Sequence, residues 1–245
     1  MGNTKEKLLI FAHRGASNIA PENTLKAFKK AIELKADFIE FDVRQSKDGE
    51  IVIIHDANTF RTTGYSGVVE KMTLKQLKQL DCGQGEKIPT LNELIDHTKG
   101  KIGLNCEIKS KGVAKKVVDI FRDANLIDST IISSFKHNEL LKIQKLEPGL
   151  RLASLNPTRT GWILSWFSRR TMLKDATQNQ FYAIDPLYLL VNNKFVKKAH
   201  NRNLMVFPWT VDSQQQILSL VKIGVDGIIT NNISRVKEVL NRLNN

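Results

Sequence analysis

Two stretches of the chain set carboxylates in step with one another. In FIEFDVR (38–44), Phe38, Glu40, Asp42 and Arg44 fall on one side of an extended backbone, opposite Ile39, Phe41 and Val43; in LNCEIK (104–109), Asn105, Glu107 and Lys109 oppose Leu104, Cys106 and Ile108. Carboxylates that share a buried face need a cation, because an uncompensated charge is costly to desolvate. Arg44 and Lys109 can supply it as salt bridges, and Mg²⁺ or Ca²⁺ can supply it through oxygen ligation; the alternation accommodates both. Two histidines close strand-like runs, where LLIFA meets His13-Arg14-Gly15 and IVII meets His55-Asp56. Either one alone reads equally well as a partly buried polar residue. As a pair they suit phosphodiester hydrolysis, in which one group takes a proton from the attacking oxygen and another gives one to the leaving oxygen, tasks an imidazole of pKa near ~6.5 can perform. Arg14, beside the first histidine, offers a guanidinium that grips phosphate oxygens bidentately.

These residues must be carried by a regular frame, and the pattern of the chain describes one. Strand candidates fall at 8–12, 38–44, 51–54, 102–108, 130–133, 150–154, 181–184, 204–208 and 227–230. Amphipathic helices fall between them, among them Asn23 to Leu34, Val113 to Ala124 and Ile233 to Leu243. Repeated βα units imply a parallel sheet. Only six or seven residues, with Lys47-Asp48-Gly49 among them, separate the second strand from the third. A parallel crossover needs about a dozen or more, so these two are expected to form an antiparallel hairpin. Without the return strand eight remain, as a TIM (β/α)8 barrel requires, and 245 residues match that fold's usual length of roughly 250. Residues 1–245 are thus expected to form one barrel domain. An insertion at about 57–100 lies on the catalytic face, with helix candidates Thr73 to Leu80 and Leu91 to His97. In this barrel the carboxylates point inward near the mouth, and the return strand lowers His55 toward His13.

Composition narrows the classes. Apolar residues make up 41 %, enough for a sizeable core, and no run approaches the ~20 apolar residues of a membrane span. The apolar run Leu8 to Ala12 is shorter than the roughly seven residues of a signal-peptide core, which predicts a cytoplasmic protein. Cys82 and Cys106 are too few for a disulfide framework and lack zinc-site spacing. With 37 Lys and Arg against 25 Asp and Glu, the net charge of +12 favours anionic partners. The basic residues are spread among helices rather than clustered with stacking aromatics, so nucleic acid is not expected as a partner.

The motifs HRG (13–15), PENT (21–24), E-F-D (40–42), KDG with HD (47–49, 55–56), EIK (107–109) and WTVD (209–212) together resemble the glycerophosphodiester phosphodiesterase family, over nearly the whole chain. Each piece is common by itself; their order is what identifies the resemblance. It implies a TIM barrel related to the phosphatidylinositol-specific phospholipases, hydrolysing small glycerophosphodiesters to sn-glycerol 3-phosphate and an alcohol. It further implies one divalent cation, Mg²⁺ or Ca²⁺, on Glu40, Asp42 and Glu107, with His13 and His55 as the acid/base pair. Arg14 and Lys109 would bind substrate, and Trp209 would pack against the glycerol carbons or belong to the core. Asn23 or Thr24 is read as the cap of the first helix and Glu22 as a support of the site. Near the C-terminus the chain departs from the family, with Thr230-Asn231-Asn232 where Asp usually follows the Thr.

The segment GWILSWFSRR (161–170) is the most individual feature. It reads as an amphipathic helix packed on the barrel, or as a patch making weak contact with an anionic membrane surface. A phospholipase acting on intact lipid is the rival activity, and no obligate protein partner is evident.

Overall fold

The structure, a computed structural model, describes residues 7–157 and 165–244. The first part of the chain forms β1 (Leu9–His13), α1 (Leu25–Glu33), β2 (Phe38–Gln45), β3 (Ile51–Ile53) and two one-turn helices, α2 (Phe60–Thr63) and α3 (Leu74–Leu77). Then come α4 (Leu91–Thr98), β4 (Gly103–Ile108), α5 (Ala114–Asp123), β5 (Thr130–Ser134), α6 (His137–Leu146) and β6 (Arg151–Asn156). The chain ends with α7 (Ser165–Gln178), β7 (Ala183–Pro186), α8 (Asn193–His200), β8 (Met205–Val206), α9 (Gln214–Lys222), β9 (Gly227–Thr230) and α10 (Ile233–Asn244).

Eight parallel strands run in the order β8-β7-β6-β5-β4-β2-β1-β9. The seam between β9 and β8 is drawn together by backbone hydrogen bonds, among them Asp226 N–H to Val206 O at 3.2 Å, Ile229 N–H to Pro208 O at 3.0 Å and Val211 N–H to Ile229 O at 3.0 Å. This is the nearly closed α/β barrel that the strand spacing predicts. The expected hairpin is present, β3 pairing antiparallel to β2 with Val43 opposite Ile53. The expected strand 204–208 shrinks to two residues, since Pro208 has no N–H to continue a ladder. The expected helix 73–80 shrinks to one turn, closed at its start by the Thr73–Gln76 capping box and burying only Leu77. No helix among the described residues is long and apolar enough to cross a membrane.

Strand alternation builds two cores. The outward residues Ile39, Phe41 and Val43 lie under the helix layer with Phe28, Ala31, Leu94 and Ile95. Helix α4 belongs to that layer and takes the crossover position between β2 and β4. The inward residues Phe11, Ile131, Ala153, Ala183, Phe207 and Ile229 fill the lower barrel, with Phe38 packed against them. Phe11 stacks on Phe38 at 4.8 Å and meets Phe207 at 4.7 Å between ring centroids. A Cβ on Gly103 would lie 2.5 Å from the Phe38 ring, so the plug closes only around a glycine there. Each buried Phe contributes roughly 2–3 kcal/mol of hydrophobic stabilisation. One step further along the same inward faces the residues turn polar: Glu40, Asp42, Asn105, Glu107, Ser133 and Asp185 are all buried.

Candidate active site

The tip of β1 is a tight reversal. Arg14 has φ of 56° and Gly15 of 82°, and Gly15 N–H donates to Ala12 O at 3.0 Å. A Cβ on Gly15 would stand 2.7 Å from Cβ of Ala27 on α1, so a glycine is needed both for the turn and for the approach of the helix. The reversal leaves His13 facing the cavity and aims the Arg14 backbone N–H at Glu40 Oε2, 2.8 Å away.

Glu40, Asp42 and Glu107 each bring a carboxylate oxygen within 4.8 Å of the others. Two cations serve the three of them: Lys109 Nζ lies 2.6 Å from Glu107 and 3.2 Å from Asp42, and Arg14 Nε lies 3.3 Å from Asp42. Asp42 is buried, yet Lys109 and Arg14 outweigh that burial and hold its carboxyl down at about 2. Burial, with the charges of Asp42 and Glu107 next, pushes Glu40 well above the carboxylate range; burial and Asp42 push Glu107 up to about 7. With all three ionised the cluster would carry one negative charge more than Lys109 and Arg14 offset, which adds to burial in raising Glu40 and Glu107, and Asp42 Oδ1 and Glu107 Oε1 are buried without a well-directed hydrogen bond. An all-oxygen donor set with surplus charge fits a hard divalent cation. Arg44, a sequence candidate for the balancing cation, instead donates Nε–H to His55 O at 2.9 Å and pins the second histidine's backbone.

The two histidines line one cavity with Arg14, Glu40, Glu107, Lys109 and Trp209. Nδ1 of His13 lies 2.7 Å from Asn231 Oδ1. Asn231 Nδ2 donates to the Asp212 carboxylate at 2.6 Å, and a carboxylate only accepts, which fixes the orientation of the amide. Its oxygen must then accept from Nδ1–H of His13, leaving Nε2 of His13 as the nitrogen free to react. Burial, and next Arg14, lower the His13 pKa from 6.5 to about 4. His55 Nδ1 lies 2.5 Å from Asp56 Oδ1, which frees its Nε2 in the same way. Burial, with Lys109 and Arg14 acting in the same direction, lowers the His55 pKa, while Asp42 and Asp56 oppose the fall.

A chain of charges joins the two sides. Arg61 bridges Asp56 at 2.5 Å and Glu22 at 2.7 Å, and Glu22 accepts from Arg14 at 2.9 Å. Thr24 alone caps α1, its side chain accepting from Ala27 N–H. Asn23, the other candidate for that cap, has φ of 56° and donates Nδ2–H to Asp42 at 2.8 Å. Trp209 lines the cavity, held by a hydrogen bond from its indole N–H to Asp185 O at 2.8 Å and by an edge contact with Phe135. Every site residue expected from the sequence thus reaches the same mouth. Arg61, Asp212 and Asn231 were not expected there. Asp212 carried a signal, standing in WTVD, and Asn231 stood out as a departure from the family; the cap of α10 is Asn232, accepting from Arg235 N–H at 3.1 Å. Residues 161–164 of the aromatic segment, Trp162 among them, lie outside the described residues.

The model of the Glycerophosphoryl diester phosphodiesterase family matches residues 13–235 of the chain. A glycerophosphodiester phosphodiesterase from Caldanaerobacter subterraneus subsp. tengcongensis is 38 % identical over 237 residues, covering 91 % of this chain and 94 % of its own. Among solved structures, a glycerophosphodiester phosphodiesterase from Thermotoga maritima superposes with a TM-score of 0.81 at 27 % identity, over 97 % of this chain and 99 % of that one. An Oleispira antarctica phosphodiesterase in complex with the product sn-glycerol-3-phosphate superposes with a TM-score of 0.82 at 25 % identity, over 95 % and 96 %.

Proposed function

We propose, on the premise that the chain belongs to the glycerophosphoryl diester phosphodiesterase family, that it hydrolyses glycerophosphodiesters to sn-glycerol 3-phosphate and an alcohol. The observation that carries this reading is the convergence of His13, His55 and the carboxylate cluster on one cavity at the barrel mouth. The Oleispira structure, with glycerol phosphate as product, supports the same substrate class.

In this reading His13 is the base and His55 the acid. His13 is held by a neutral amide and strongly favours its uncharged form, so Nε2 can accept the proton of the attacking hydroxyl. Burial lowers the His55 pKa as well, but this ring leans on the Asp56 carboxylate, which opposes the fall and favours a proton on it. Its Nε2–H goes to the alcohol oxygen as the P–O bond to that oxygen breaks, and the net reaction adds one water. Arg14 and Lys109 line the cavity and offset negative charge that builds on the phosphoryl group, and Trp209 packs against the glycerol carbons. Glu40, Asp42 and Glu107 would hold Mg²⁺ or Ca²⁺, which when bound supplies positive charge to the non-bridging phosphoryl oxygens. An assay of glycerol 3-phosphate release from glycerophosphocholine, run with and without chelator, tests the reading; an absence of release with either cation present would refute it.

A further inference from the structure

Helices α7 and α8 are separated by a groove that the proposed catalytic chemistry does not use. Its cavity measures about 510 Å³, and Arg169, Arg170, Lys174, Lys194, Lys198 and Arg202 line it with no Asp or Glu among them. Some cations elsewhere are matched, as Lys115 is to Asp119 and Arg122 to Glu147. None of these six is ion-paired to an acidic side chain among the described residues. The floor is apolar, made by the buried Leu173 and Phe195. Like charges held together over an apolar floor repel one another until an anion with an apolar body joins them.

A second, independent observation says which anion. Seven large hydrophobic side chains are exposed among the described residues, and five of them sit on segments at the barrel mouth. Ile19 lies in the turn after β1, and Phe60, Tyr65 and Val68 lie in the excursion after β3, where Arg61 anchors α2 to Glu22 at the site. Leu189, 67 % exposed, is at the tip of the loop after β7. That loop joins groove and mouth, because Arg169 donates to Leu190 O at 2.8 Å and Tyr188 N–H donates to Trp209 O at 3.0 Å. The other two, Leu146 and Leu243, are at the far ends of α6 and α10. Apolar side chains around an opening with a basic flank are the composition of a face that settles on a lipid surface.

We propose that the catalytic face docks on an anionic phospholipid bilayer, lipid phosphates entering the α7–α8 groove while Leu189 and its neighbours at the mouth dip into the interface. Co-sedimentation of the full chain with liposomes tests this without reference to turnover. The wild type is expected to sediment with mixed phosphatidylglycerol and phosphatidylcholine vesicles at about 0.1 M salt, where diffuse surface charge is largely screened, and to stay in solution with phosphatidylcholine alone. The triple variant Arg170→Gln/Lys194→Gln/Lys198→Gln removes groove cations, of which Arg170 and Lys194 lie in the halves of α7 and α8 nearer the mouth. It should bind the mixed vesicles on the order of 10²-fold more weakly, at roughly fivefold per cation lost. Leu189→Gln should weaken binding about tenfold. The matched triple Lys35→Gln/Lys145→Gln/Lys222→Gln, which removes the same charge from the exposed ends of α1, α6 and α9 away from the mouth, should stay within about threefold of wild type. Unchanged hydrolysis of soluble glycerophosphocholine in all variants certifies their fold. Absence of wild-type binding overturns the proposal, as does an equal loss in both triples, which would mean net charge alone. A groove triple that keeps vesicle binding but loses a single-stranded oligonucleotide also overturns it, in favour of nucleic acid.

Discussion

The amide of Asn231 stands between His13 and Asp212, accepting from the imidazole at 2.7 Å and donating to the carboxylate at 2.6 Å. The carboxylate therefore sets the tautomer of His13 through a neutral relay and not by touching it. A carboxylate in direct contact would stabilise the imidazolium and raise the pKa of His13, which in the proposed reading stays uncharged to act as the base.

Asn231→Asp is accordingly expected to move the acid limb of the kcat/KM profile to higher pH. Activity should fall most near pH 6 and approach wild type near pH 8. A limb that does not move, or moves downward, would contradict the relay.

Loss of either imidazole should be severe. His13→Ala and His55→Ala are each expected to lower kcat by ~10²- to 10⁴-fold while retaining the fold. A nitrophenol leaving group needs no proton and should restore only the variant that lacks the acid, namely His55→Ala. Rescue of His13→Ala in its place would reverse the two assignments.

Dialysis against EDTA should abolish turnover, and Mg²⁺ or Ca²⁺ should restore it. Glu107→Gln removes one of three clustered carboxylates and is expected to cost about 10²-fold or more in kcat/KM at limiting cation. Undiminished turnover in this variant would remove Glu107 from the cation site.

The depressed pKa of His13 also makes a statement about stability. Unfolded, its imidazole titrates near 6.5; folded, near 4. Between these values the unfolded chain binds a proton that the folded one refuses, so stability is full above pH 6.5 and falls as pH drops toward 4, by up to about 3 kcal/mol from this residue. Denaturant titrations of wild type and His13→Gln should differ in slope over that window, with the variant the flatter.

Gly15→Ala forces a Cβ to within 2.7 Å of Ala27 at a φ of 82°. The variant should lose about 1–3 kcal/mol of stability and, by displacing Arg14 from Glu40, most of its activity. Thermal unfolding and the same turnover assay would register both losses.

The barrel was legible because its inward and outward faces alternate in the sequence with a period of two, and because Lys47-Asp48-Gly49 leaves no length for a parallel crossover. Glu40 and Asp42, like Glu107 and Lys109, are two residues apart on one strand, so their common face could be read directly. Asn231 could not be read in this way, since 218 residues separate it from His13 and only barrel closure brings β9 beside β1. Arg61 lies 39 residues from Glu22, on a one-turn helix with no periodicity to announce it. Asn23 was obscured by its neighbour, since both it and Thr24 are good caps and only backbone geometry decides which one turns toward Asp42.

The packed phenylalanines of the lower barrel have a kinetic meaning. They make the lumen a dead end, with no back door beneath Glu40 and Glu107. In the proposed reaction both products must leave by the entrance that the next substrate uses, and they must leave in sequence. The phosphate-bearing fragment that Lys109 and Arg14 would hold is the deeper one and is expected to depart last. Glycerol 3-phosphate is then a competitive inhibitor, while the released alcohol inhibits weakly and without competing, an order that product-inhibition kinetics can read.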